Sequence, residues 1–168
     1  RAAGANSLAP LLSALAELPN TSEKDQAALR SQSIAALRRT IEIHPNNLWA
    51  WHDLGDRLQS QLEDKILHGE FDEKQFAEAE ACFIKAGQIE QNYFPAPMGL
   101  LGMYSDRVLF LYNHGQPIDK YLALAINAEQ SALSMNMKEP FIHALGFTVR
   151  MYHAELLSWS AEVPKQLM

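Results

Sequence analysis

Residues 43–58 read IHPNNLWAWHDLGDRL, and the reading of this stretch decides the fold. Pro45 stops any helix that precedes it, because proline lacks an N–H and disfavours helical geometry in the residue before it. Asn46 or Asn47 then offers a side-chain acceptor to the free N–H groups that open a new helix. Trp49 and Trp51 follow at once. On a helix they point about 200° apart, so a single core takes only one of them.

Outward from this point the pattern is helical in both directions. A first helix is expected from Asn6 or Ser7 through LAPLLSALAEL to about Leu18, broken by Pro19-Asn20-Thr21-Ser22. Asn20 with Glu23 three residues later is a helix start signal. The second helix carries Ile34, Leu37 and Ile41 on one face. The third runs from Leu48 to about Leu67, closed by His68-Gly69, and the glycine suits a left-handed C-terminal position. A fourth, from about Glu73, shows Phe76, Ala79, Phe83 and Ala86 at helical spacing. A fifth follows Pro95 to about Asn113 and stops at His114-Gly115-Gln116-Pro117. A sixth carries Tyr121, Ala125, Ala128, Ala132 and Met135. A seventh starts near Pro140 and runs to about Trp159. The expected class is all-α, with about seven helices, no strand and a single domain over 1–168.

The chain also repeats itself. Leu-Gly recurs at 54–55, 101–102 and 145–146, with the glycines 47 and 44 residues apart. His-Gly recurs at 68–69 and 114–115, 46 residues apart. Repeats of this length signal stacked helical units. Gly55, Gly102 and Gly146 would each cost about 1 kcal/mol relative to Ala within a helix. A cost incurred repeatedly suggests a repeated use, close approach of a neighbouring helix. The units are roughly 8–45, 48–92 and 95–136, with a final helix at 140–160.

Trp51-x2-Leu54-Gly55-x2-Leu58, then Ala79-x3-Phe83, with Pro45 ending the unit before, resembles the tetratricopeptide repeat pattern W-x2-L-G-x2-Y, A-x3-F, P. The likeness is closest across 33–58, weaker across 73–102 and weakest across 118–150. The departure is length, since that family's unit is 34 residues and its first helices are shorter. A period near 45 also fits HEAT or armadillo-type repeats. The resemblance implies a right-handed α-solenoid of stacked antiparallel helix pairs. It puts Trp51 in the buried aromatic slot and leaves Trp49 on the other side.

The resemblance further implies a concave groove lined by the first helix of each pair, which binds a peptide or partner helix. Register from each Leu-Gly pair gives the candidates. The first full unit offers Trp49, His52, Asp56 and Gln59. The next offers Ala96, Gly99, Met103, Asp106 and Arg107. The last offers His143, Phe147, Arg150 and Met151. His52 and Asp56 stand where a clamp for chaperone carboxylates would need a base or amide, so that mode of binding is not expected.

No cofactor and no metal site is expected. His52 and Asp56 are spaced i, i+4, but no second ligand pair joins them. No G-x-S-x-G, P-loop or G-x-G-x-x-G stretch is present. Cys82 is read as a packed thiol rather than a nucleophile. With 14 basic and 20 acidic residues the net charge is −6, which opposes nucleic-acid binding. No apolar run is long enough for a membrane span. The single cysteine points to a reducing compartment, hence the cytoplasm. Arg1 in place of an initiator Met suggests a fragment or a processed form. The expected function is a protein–protein interaction scaffold. The alternatives are a homodimerising module, with an uncovered end near Leu156, Leu157 and Trp159, or a recruiting domain of a larger enzyme.

Overall fold

Pro45 and the asparagines after it act as read. The backbone leaves α2 (Glu23–Ile43) and enters α3 (Leu48–Leu67) through a short turn. The Asn47 side-chain oxygen accepts the Ala50 N–H at 3.1 Å, which caps α3. The computed structural model describes residues 5–16, 18, 22–135, 143, 146, 150, 151 and 154. Six helices are described in full. The others are α1 (Ala5–Ala16), α4 (Glu73–Ile89), α5 (Pro95–Asn113) and α6 (Asp119–Met135). Among the described residues there is no strand, and neighbouring helices pack on one another. The expected seventh helix lies largely outside the described residues; His143, Gly146, Arg150, Met151 and Ala154 are helical.

The start of α2 differs in detail from the expectation. Ser22, not Asn20, is the cap, and its hydroxyl accepts the Asp25 N–H at 3.2 Å. Asn20 itself lies outside the described residues.

The chain divides into two compact units, the boundary falling within α3. The first comprises residues 1–62 and 73–91. In it α1 buries Ala9, Ser13 and Ala16 against α2. The Ser33 hydroxyl donates to the Ala9 carbonyl at 3.1 Å and lies 3.3 Å from the Ser13 hydroxyl, so these buried polar groups are satisfied. α3 buries Ala50, Leu54, Leu58 and Leu62, a ladder of i, i+4 steps, and α4 buries Phe76, Ala79, Phe83 and Ala86 as the spacing predicts. Cys82 joins them. A methyl group on Gly55 would stand 3.0 Å from the Phe83 ring, so the close approach inferred from Leu-Gly is real here, and the neighbour is an aromatic ring of α4.

The second unit comprises residues 63–72 and 92–168. α5 and α6 pack together around Leu101, Val108, Ile118, Leu122, Ala125 and Ala132. On α6 the buried face is Leu122, Ala125, Ala128, Glu129 and Ala132. The expected stripe is therefore displaced at both ends: Tyr121 is half-buried and Met135 exposed.

Both His-Gly turns are built alike. Gly69 and Gly115 take φ values of 77° and 63°, the left-handed region that favours glycine. The amides of Glu70 and Gln116 reach back to the carbonyls of Lys65 and Leu111 at 3.0 and 2.9 Å. The glycine amides bond to Ile66 and Tyr112, which completes a Schellman motif in each case. His68 and His114 each place Nδ1 2.7 Å from the carbonyl four residues earlier, Asp64 and Phe110. With a carbonyl as partner the proton sits on Nδ1, and the ring satisfies a helix-end acceptor.

Candidate partner-binding surface

The two tryptophans of α3 separate. Trp51 is half-buried, and its indole N–H donates to the Pro45 carbonyl at 2.7 Å. It ties the turn between α2 and α3 as well as packing, so it sits at the core's edge rather than deep within it. Trp49, on the opposite side, is 63% exposed. Beside it a recess of about 260 Å³ is lined by Leu37 and Thr40 of α2 and by Trp49, Ala50 and Asp53 of α3. The Thr40 hydroxyl donates to the Ala36 carbonyl, so the α2 side presents mainly hydrocarbon.

His52 lies one residue before Asp53. Its ring meets Phe83 edge-on at 5.9 Å, and Nδ1 is 3.6 Å from both Asp53 Oδ1 and Asp56 Oδ2. Burial of the ring opposes its protonation, but the Asp53 contact and the charge of Asp56 outweigh burial. The His52 pKa therefore lies above its ordinary value. Asp56 is exposed and Gln59 half-buried, both on α3. Among the described residues no group of three His, Cys, Asp or Glu side chains is placed to hold a metal ion.

The candidates of the second unit divide differently. Met103 is fully buried, and so is Ala96, so neither presents itself to a partner as expected. Arg107 is only 9% exposed. Its guanidinium lies 3.8 Å from the centre of the Phe71 ring, 5.3 Å from Tyr121 and 5.8 Å from Phe110, a buried cation–π cluster rather than a groove contact. The outward placement of Met103 and Arg107 is thus corrected. α5 carries apolar residues on every side, so the Leu-Gly register does not single out one inner face. Asp106 and Gly99 are half-buried.

His143 and Met151 are exposed. Arg150 spends its guanidinium on Glu129 of α6: Nη1 donates to Oε1 at 3.0 Å and Nη2 to Oε2. Glu129 is buried at 3% exposure, and Gly146 lies so close over its carboxylate that no Cβ would fit. Phe147, Leu156, Leu157 and Trp159 lie outside the described residues. Sequence reasoning missed Glu129 and Phe71; the one signal for Glu129 was an acid set among Ala125, Ala128 and Ala132 on one helix face.

Cys82 is buried on α4, and burial, with Glu78 nearby, pushes its thiol up to about 12. It holds its proton at neutral pH and lacks the thiolate a nucleophile needs. No helix of the described residues is long and apolar enough to cross a membrane. No protein-family model matches the sequence, and no curated protein matches it.

Proposed function

We propose that the chain is a protein–protein interaction scaffold of the tetratricopeptide-like kind. Its helix pairs stack as a right-handed solenoid, and it binds a peptide or partner helix in the concave groove lined by its first helices. The carrying observation is Trp49. A large aromatic ring stands 63% exposed on a capped helix, while its neighbour Trp51 is fixed by a hydrogen bond. Rigid exposed tryptophans supply much of the energy at protein interfaces. His52, Asp56 and Gln59 on the same helix add polar contacts around it. Trp49→Ala removes ring and recess wall without touching the core. Quantitative capture from the native host with wild type and variant checks this. At least a tenfold loss of specific partners is expected, with unchanged helical circular dichroism; full capture by the variant would defeat the assignment.

A second reading has its own observation. Leu8, Leu11 and Leu15 of α1 are exposed at i, i+3 and i+7, an apolar stripe of the kind a second copy covers. Sedimentation that stays monomeric at high concentration removes self-association.

A further inference from the structure

We infer that the recess between α2 and α3 is a binding site for one basic side chain, arginine or lysine, on the partner's peptide. The inference rests on the partner-binding reading of α3 and names what that surface selects.

The chemistry follows from the lining. Leu37 and Ala50 supply hydrocarbon, which suits the aliphatic stem of a long side chain. Trp49 supplies the aromatic face with the strongest attraction for a cation. Asp53 brings a carboxylate, 38% exposed, to the same recess. Stem, ring and carboxylate together select a cation on a flexible apolar chain. An acidic side chain meets Asp53 with like charge, and a purely apolar one leaves that carboxylate partly desolvated without compensation. At about 260 Å³ the recess lies below the range of roughly 300–1,000 Å³ for small-molecule pockets, so its size fits a single side chain rather than a cofactor. His52 does not cancel the site. Its Nδ1 stands 3.6 Å from both Asp53 and Asp56, and its contact with Asp53 favours the protonated ring, so the partner's cation competes with His52 for that carboxylate and gains as the ring loses its proton. The site lies within the first unit, on helices fixed by the Asn47 cap and the Trp51–Pro45 bond.

The test uses the full chain and capped pentapeptides Ala-Ala-X-Ala-Ala with X as arginine, lysine, norleucine or glutamate. The readout is the Trp49 indole N–H resonance in two-dimensional NMR at pH 7.5, with the Trp51 indole as internal reference. The arginine and lysine peptides are expected to move the Trp49 signal with millimolar affinity. Norleucine, which keeps the stem and lacks the charge, is expected at least tenfold weaker, and glutamate weaker still. Asp53→Asn is expected to lower arginine-peptide affinity at least fivefold, while Glu90→Gln, an exposed carboxylate of the same unit away from the recess, stays within twofold of wild type. Norleucine binding as well as arginine overturns the inference, and that comparison needs no protein variant. Equal losses for Asp53→Asn and Glu90→Gln overturn it too, since they reduce it to diffuse acidity. If partner capture depends on Trp49 while norleucine equals arginine, the interaction surface stands and the cation site falls. Selective arginine binding with capture indifferent to Trp49→Ala is the reverse case.

Discussion

In the first unit the charges that join helices stay at the surface. Arg38 and Glu78 meet through two hydrogen bonds of 2.8 Å, and both side chains remain substantially exposed. What lies beneath is hydrocarbon: the Leu54–Leu58–Leu62 ladder and the Phe83 ring against Gly55. The second unit takes charge inside. Arg107 is enclosed by three rings, and Glu129 is buried under Gly146 and held by Arg150. The difference teaches where each unit is vulnerable. Exposed pairs are worth at most about 1 kcal/mol, so the first unit depends on shape. A buried carboxylate that loses its partner is far more costly, so the second depends on charge balance.

The largest expected effect is in the first unit. Phe83→Ala empties the space against Gly55 and should cost about 3–5 kcal/mol by urea denaturation, whereas Arg38→Ala should cost less than about 1 kcal/mol. Similar losses for the two variants would erase the contrast drawn above. Next comes the second unit. Arg150→Ala leaves the buried Glu129 carboxyl without its ion-pair partner, at a cost of about 3 kcal/mol; solvent access from the Arg150 side reduces the full penalty. Adding Glu129→Gln removes that charge, and the double variant should recover a good part of the loss. A double variant worse than Arg150→Ala would show that the carboxylate was needed for shape.

The smallest effect is a pH dependence of the first unit. Because the His52 pKa is raised in the folded chain, its stabilisation is fully present below about pH 6.5, the ordinary histidine value. It is lost as pH rises through the higher folded value. The Asp53 and Asp56 carboxylates face this ring, and Phe83 packs against it. The unfolding free energy from urea denaturation should therefore fall slightly from pH 6 to pH 8.5, by under about 1 kcal/mol, and His52→Gln should flatten that slope. A slope unchanged in the variant assigns it elsewhere.

Much of this contrast was visible in the sequence where the signal is local. Pro45 with Asn47, the His-Gly turns and the Phe76–Ala86 stripe are short-range patterns, and each forms as read. The Trp49–Trp51 division follows from helical rotation alone, though the Pro45 carbonyl that holds Trp51 does not. The second unit was harder for a physical reason. Arg107 finds its rings on α5, on α6 and in the loop after α3, and Glu129 finds Arg150 some twenty residues on. Such partners are chosen by tertiary packing, which helical register does not encode. Asp53 escaped notice for a related reason. It lies between the buried and outward faces of α3, and only the arrival of Leu37 and Thr40 makes it part of a recess.

Gly69 and Gly115 have a further consequence. Apart from the adjoining residues, nothing lies within 4 Å of where an L-residue's Cβ would stand at either, so what these turns demand is handedness and not room. An L-residue there is strained by its backbone; a mirror-image D-residue is not. Chemical synthesis with D-alanine at either place would narrow the unfolded ensemble without native strain. The turns after α3 and α5 are thus places where a change of chirality, rather than of size, should raise stability.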